Sequence, residues 1–386
     1  MQNKLIRITT IPISLEKLLS GQLQFMSSHY DVIAVSSDRQ KLEAVGKSQN
    51  VAVFLLEMTR QITPLKDILA VVKLYFFLKK TKPFIVHTHT PKAGIVGMLA
   101  AKLAQVPIRL HTVAGLPLLE TKGFKRKILN QIEKLTYHCA TKVYPNSNGL
   151  LEIIQQNNFC KNDKLKVIAN GSSNGIDTSY FNPDLISDKQ KLALKNELTI
   201  QSTDFVFLFV GRLVKDKGIN ELIGAFEKLQ IEIPTIKLLL VGDFEDDLDP
   251  LLPTTINSIN TNSNIIPVGF QNDVRPYFAV SNCLVFPSYR EGFPNVVLQA
   301  GAMKLPSIVS NINGCNEIIE DHRNGLIIPV KNESALFDAM KKMANETQLV
   351  SEMKNNSRQI IVSNYDQKLV WEAILAEYRT FENNFI

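Results

Sequence analysis

Disulfide frameworks, membrane-length apolar runs and a dinucleotide fingerprint are all missing from this chain. Its four cysteines, Cys139, Cys160, Cys283 and Cys315, are widely spaced and form no CxxC pair, which argues against both a disulfide scaffold and a structural zinc site. The most membrane-like run, ILAVVKLYFFL (68–78), is short and interrupted by Lys73. It is expected as a helix packed in a core, not as a span. The first residues, MQNKLIRITTIPISLEKLL, carry a broken apolar stretch and no small-residue cleavage pattern, so a cytoplasmic protein is expected. No G-x-G-x-x-G follows the first apolar run, which lowers the dinucleotide reading. Aromatics make up 8% of the chain, and no stripe of aromatic and basic residues marks a nucleic-acid surface.

What is present is a chain of 386 residues, 45% of them hydrophobic, long enough for two domains with a core each. The net charge of +6 conceals an asymmetry. Residues 1–185 hold 24 Lys+Arg against 12 Asp+Glu, or +12, leaving 19 against 25, or −6, for the rest. A basic first half suits anionic lipid headgroups or a diphosphate-bearing substrate, while a scattered basic surface is the plainer reading.

Short apolar runs alternate with helical patterns along both halves: KLIRITTI, EKLLSGQLQFMSS, YDVIAVSS, a long helix ending near Lys82 and FIVHTHT in the first, then DFVFLFVGR, INELIGAFEKL, IKLLLVGD, NIIPVGF and NCLVFPS in the second. This is the βαβ rhythm, and it predicts two parallel sheets. The polar stretch NGIDTSYFNPDLISDKQ places the boundary between about 175 and 203. The expected domains are therefore 1–185 and 186–365, with 366–386 as a final helix carrying Leu369, Ile374, Leu375 and Tyr378 at helical spacing.

The segment PSYREGFPNVVLQAGAMKLP (287–306) is the most informative. A buried strand ends at Pro287, and Gly292 and Pro294 open a helix whose free N–H groups and dipole suit an anion. Glu291 and Gln299 fall where retaining glycosyltransferases of family four, with the GT-B fold, usually show two glutamates separated by seven residues. VFLFVGRLVKDKG (206–218) also resembles that family, as do Gly314, Glu317 and NGLII (324–328) in their order. VHTHTPKAG (86–94) and IRLHTVAGLP (108–117) resemble a bacterial subgroup that extends lipid-linked oligosaccharides.

The resemblance implies an α/β GT-B fold: two Rossmann-like parallel-sheet domains facing a central cleft, the first binding acceptor, the second nucleotide-sugar, and the last helix returning to the first. It implies a retaining hexosyltransferase that uses a nucleoside-diphosphate sugar, with UDP the expected nucleotide and no metal or other cofactor. The acceptor implied is a polyprenyl-diphosphate-linked glycan of capsule, O-antigen or protein-glycan assembly, met at the inner face of the cytoplasmic membrane. Rival readings are transfer to a soluble acceptor, sugar-nucleotide epimerisation, and a noncatalytic nucleotide-sugar-binding scaffold.

Residue by residue, Arg212 and Lys217 would neutralise the departing diphosphate, although each alone also reads as a surface charge. Glu291 would hold the donor sugar, or serve as a helix-start carboxylate. Gln299, an amide in place of the usual carboxylate, would accept from ribose hydroxyls. Gly211, Gly269, Gly292, Phe293, Pro294, Asn295 and Val296 complete the expected donor site. His89 maps to the family's active-site histidine. His87, two residues earlier on the same side of the strand, forms a weak metal pair with it at best, and His111 is a further candidate for the cleft.

Lys92 opens a helix that suits an acceptor diphosphate. TKGFKRKILNQIEKLTY (121–137), with Lys122, Lys125, Arg126 and Lys127, reads either as a membrane-surface helix or as a core helix with a basic end. The first loop, TTIPISLEKLLSGQ, departs from the family by carrying Gly21 alone. It is assigned, with Ser14, to the acceptor side.

Overall fold

A computed structural model describes residues 2–59, 61–245 and 249–383, without the side chains of Pro117 and Glu120. The last three residues of the expected returning helix lie outside the described residues. The chain forms two compact units, Met1–Asn174 with Lys368–Ile386, and Gly175–Gln367.

In the first unit the order is β1 (Lys4–Ile8), α1 (Pro12–Leu18), α2 (Gln22–Ser27), β2 (Asp31–Ser36), α3 (Arg39–Gln49), β3 (Ala52–Leu55), α4 (Pro64–Thr81), β4 (Ile85–Thr88), α5 (Pro91–Leu103), β5 (Ile108–Val113), α6 (Gly123–Cys139), β6 (Lys142–Pro145) and α7 (Asn148–Gln156). The second unit has α8 (Asp188–Glu197), β7 (Phe205–Val210), α9 (Ile219–Glu232), β8 (Ile236–Val241), α10 (Pro253–Thr261), β9 (Ile265–Gly269), α11 (Arg275–Val280), β10 (Cys283–Phe286) and α12 (Asn295–Ala302). It continues through β11 (Ser307–Ser310), α13 (Cys315–Ile318), β12 (Gly325–Ile328), α14 (Glu333–Asn345) and α15 (Thr347–Tyr365), and α16 (Gln367–Asn383) follows.

Each unit holds a six-stranded parallel sheet, ordered β3-β2-β1-β4-β5-β6 in the first and β12-β11-β10-β7-β8-β9 in the second. Numbered from its own first strand, each sheet has the doubly wound order 3-2-1-4-5-6, in which strand order reverses between the first and fourth strands. That crevice lies between β1 and β4 in one unit and between β7 and β10 in the other. Strands such as FVFLFV and IKLLLV are apolar at nearly every position because helices cover both faces of a parallel sheet. The four cysteines are free thiols, three of them buried.

Several expectations shift. EKLLSGQLQFMSS is two helices, because Gly21 takes φ +73° and a Cβ there would lie 2.6 Å from the Trp371 ring. Residues 175–185 belong with the second unit, where Ile176 bridges Asp366 and joins the core. The Arg358 guanidinium there donates to the carbonyls of Thr178 and Phe181 at 3.0 and 2.9 Å. In α16, Val370 takes the core position and Leu369 faces solvent, while Ile374, Leu375 and Tyr378 are buried against the first unit. Helix α4 packs on the core by one face only, through Ala70, Leu74 and Leu78 with Val71 and Phe77 half-buried beside them. No helix among the described residues is long and apolar enough to cross a membrane.

Candidate functional site

In the second unit, the expected donor residues gather at the carboxyl ends of β7 and β10. Gly218 (φ +72°) caps α9 where a Cβ would lie 2.2 Å from the carbonyl oxygen of Pro287. Only glycine lets these two loops meet. That contact brings Lys217 Nζ onto Glu291 Oε1, both largely buried. Ser288 Oγ donates to the same carboxylate oxygen at 2.9 Å, and the Lys217 ammonium also lies 5.6 Å over the Phe286 ring.

The backbone around Glu291 is fixed from the far side. Asn313 Nδ2 donates to the carbonyls of Glu291 and Gly292. Gly314 packs so closely that a Cβ would sit 2.5 Å from the Gly292 oxygen. Helix α12 then starts at Asn295, with Pro294 at the N-cap instead of inside the first turn and no side-chain capping bond. Its first N–H groups follow directly on Gly292 and the buried Phe293. Gln299 lies half-exposed one turn further along.

Arg212 does not join Lys217. It follows Gly211 at the end of β7 and pairs with Glu245, Nη1 to Oε2, at 2.5 Å, half-exposed. Gly211 itself is held by the neighbouring turn, since a Cβ on Gly242 would meet its carbonyl at 1.9 Å. Gly269 (φ +66°) ends β9, where Asp243 Oδ1 accepts from Phe270 N at 3.0 Å. Sequence reasoning missed Ser288, Asn313, Glu245 and the Asp216–Arg290 pair, whose Oδ2 and Nη2 are 2.9 Å apart. Ser288 had a visible signal: it is the hydroxyl residue at the strand end, three before Glu291.

In the first unit, His87, His89 and Arg7 meet at the β1–β4 crevice. His87 and His89 stack with ring centroids 4.1 Å apart. Arg7 is fully buried, its Nη1 donating to Tyr378 Oη at 2.6 Å and its Nη2 to Gln22 Oε1. A guanidinium only donates, so Tyr378 accepts from Arg7, and its one proton goes to His87 Nδ1. His87 therefore carries its own proton on Nε2 and donates to Thr112 Oγ1 at 2.8 Å. With both nitrogens committed, His87 offers no free ligand to a metal.

His89 is different: it is buried, and among the described residues neither ring nitrogen has a hydrogen-bond partner. Burial, then the neighbouring His87 and Arg7, push its pKa well below the usual imidazole value. It stands as a neutral imidazole, one donor and one acceptor. The adjoining loops are joined by Thr10 and Thr90, whose hydroxyls are 2.7 Å apart, and Ser14 is half-buried in the first turn of α1.

The other candidates turn elsewhere. His111 pairs in register with Thr88, not with His87, so alternation sends its side chain to the opposite face of the sheet. There it bonds Thr88 Oγ1 at 2.8 Å and fits under Gly94, where a Cβ would lie 2.6 Å from the ring. Burial drives its pKa down to about 4. Lys92 is nearly buried in an ion pair with Asp67 at 2.5 Å. Arg126 is spent on the Leu118 carbonyl (2.6 Å) and Asn130 (2.9 Å), whereas Lys122, Lys125 and Lys127 are exposed.

Two family models match the chain: glycosyl transferases group 1 over residues 190–360 and glycosyl transferase 4-like over residues 17–147. The chain is 33% identical over 384 residues to the capsular polysaccharide biosynthesis glycosyltransferase CapM of Staphylococcus aureus, covering 98% of this chain and 97% of that protein. It is 32% identical to the UDP-Gal:alpha-D-GlcNAc-diphosphoundecaprenol alpha-1,3-galactosyltransferase of Escherichia coli, over 82% of this chain and 80% of that one. Among solved structures, a glycosyltransferase from Rickettsia africae superposes with a TM-score of 0.82 at 18% identity, covering 99% of each chain. Anabaena HepE, solved in complex with UDP, superposes with a TM-score of 0.81 at 18% identity, covering 98% of this chain and all of that one.

Proposed function

The chain belongs to the group 1 glycosyltransferases and has the GT-B fold, and we propose that it transfers a hexose or N-acetylhexosamine from a UDP-sugar to a polyprenyl-diphosphate-linked glycan, with retention. The observation that carries this reading is the Lys217–Glu291 pair, with Ser288, at the strand-order reversal of the second sheet. The relative that acts on a diphosphoundecaprenol-linked sugar with UDP-Gal, and the capsular relative, supply the substrate classes.

As the sugar departs, negative charge grows on the diphosphate. Lys217 and the uncapped N–H groups at the start of α12 meet it, joined by Arg212 once its guanidinium exchanges Glu245 for the phosphate. A diphosphate competes with Glu291 for the Lys217 ammonium, so donor binding frees the carboxylate to accept from sugar hydroxyls and to stabilise positive character at the anomeric carbon. Gln299 accepts from the ribose through its amide oxygen. In the first unit, neutral His89 has both nitrogens available for a sugar hydroxyl or carbonyl. Departure and attack on one face let the leaving phosphate take the acceptor proton, and no side chain is assigned as base. The acceptor is met at the inner face of the cytoplasmic membrane, with Ser14 and the exposed Lys122, Lys125 and Lys127 on that side.

Calorimetric titration with UDP should show saturable binding that Lys217→Met weakens at least tenfold, about 1.4 kcal/mol. Transfer from a UDP-sugar panel to a membrane lipid extract should yield an α-linked product by NMR, and Glu291→Ala should abolish it. A β-linked product from an α-linked donor refutes retention, and turnover of donor without acceptor refutes transfer.

A further inference from the structure

Helix α4 is apolar on two opposite faces. At about 100° per residue, Ala70, Leu74 and Leu78 point one way, into the core, while Leu65, Ile68, Leu69, Val72 and Phe76 fall within roughly 100° of arc on the other side. These five are 46% to 80% exposed. Isolated exposed apolar side chains are ordinary, but five on one stripe of one helix are not.

The stripe has a charged border. Lys66, Lys73 and Lys80 recur every seven residues along one edge, all exposed, and Lys79 closes the C-terminal end of the stripe. The only acid in the helix, Asp67, is turned to Lys92. Beside the stripe, between the exit of β3 and α4, is a hollow of about 330 Å³ walled by Leu56, Met58 and Ala70, whose charged lining is Lys66 and Lys73 with Glu57 and the Lys92-paired Asp67. A helix with an apolar stripe and lysines whose stems run along it lies flat in a membrane interface, with the ammonium groups at the phosphates.

We propose that the outward face of α4 docks this protein on an anionic phospholipid surface, with Leu65, Ile68, Leu69, Val72 and Phe76 entering the headgroup–acyl boundary. The exposed end of α6 plays the lesser part. A second copy of the chain is a poorer occupant: antiparallel two-fold pairing on this stripe would set the two lysine rows side by side, and parallel pairing would offer them no acid of the facing helix, whose Asp67 is turned to Lys92. The inference rests on the proposed reading only in that a lipid-linked acceptor lies at a membrane.

Flotation with phosphatidylcholine vesicles, with and without phosphatidylglycerol, tests it. The parent should float only with phosphatidylglycerol present. Lys66→Gln/Lys73→Gln/Lys80→Gln should weaken binding about 100-fold, roughly a factor of five per lysine. Ile68→Ser/Phe76→Ser should weaken it at least tenfold, and Lys122→Gln/Lys125→Gln/Lys127→Gln less than the α4 variants. All substituted residues are exposed, and unchanged circular dichroism verifies that the variants fold. The proposal is overturned if the parent does not float, if the α4 variants float like the parent, or if the α6 variant alone is released. It is also overturned if sedimentation shows self-association that the α4 variants abolish, which would assign the face to a second copy. UDP titration of the same samples reads the second unit: failure of UDP binding with intact flotation refutes the donor reading and leaves the docking face standing.

Discussion

Replacing Tyr378 by phenylalanine removes one oxygen that serves two buried partners. The hydroxyl accepts from Arg7 Nη1 at 2.6 Å and bonds His87 Nδ1, and all three side chains are buried. Among the described residues no carboxylate pairs with Arg7, and its Nε has no partner. The guanidinium then keeps only Gln22 through Nη2. A hydrogen bond to a charged group contributes about 1.5–3 kcal/mol and a neutral one about 1, so Tyr378→Phe should destabilise the first unit by roughly 3 kcal/mol. Urea unfolding followed by a probe on that unit measures it, with the slope against denaturant unchanged. Arg7→Met should also destabilise, but the double variant should fall short of the sum by at least about 1 kcal/mol, since the Arg7–Tyr378 bond is then lost once and not counted twice. A loss under about 0.5 kcal/mol for Tyr378→Phe, or strict additivity of the two substitutions, would refute the proton assignment through Tyr378.

Gly218→Ala should cost at least about 2 kcal/mol, because φ of +72° disfavours a Cβ and the added methyl meets the Pro287 carbonyl; UDP affinity should drop with it as Lys217 and Glu291 separate, and unchanged calorimetry would show the loops meet differently. Burial raises the Glu133 carboxyl to about 7, so the folded protein holds a proton there that the unfolded chain loses near 4.5. Stability contributed by that proton is present at low pH and lost as pH rises towards 7. Glu133→Gln should therefore match the parent near pH 4.5 and exceed it by up to about 3 kcal/mol at pH 8, and a pH-independent difference would contradict the burial argument. Gln299→Glu should keep or improve UDP affinity, by about 1 kcal/mol at most; a large calorimetric loss would show that this position has another task.

The arrangement around Glu291 was largely legible because it is local. A strand end, a polar turn and a helix start within PSYREGFPNVV put Glu291 and the α12 N-terminus in one place, and spacing alone set Lys217 beside Gly218. The partners of these residues were not legible. Lys217 and Asn313 reach Glu291 only because Gly218 and Gly314 let three loops close to backbone contact, whereas Ser288 reaches it from within the same turn. The same holds for Arg212, which the sequence grouped with Lys217 and the fold gives to Glu245.

By itself, the sequence determined the alternation of strand and helix, the two parallel sheets it implies, and the residues at the strand ends, because period, turn residues and helix starts act over a few neighbours. Tertiary structure decided three things that depend on what packs against each face. It sent His111 to the opposite side of the sheet from His87 through strand register. It left His89 buried with two unanswered nitrogens beside a fully committed His87. It turned the apolar run 68–78, expected in a core, outward along half its circumference, since an apolar residue records only that water is unfavourable to it and not which surface covers it.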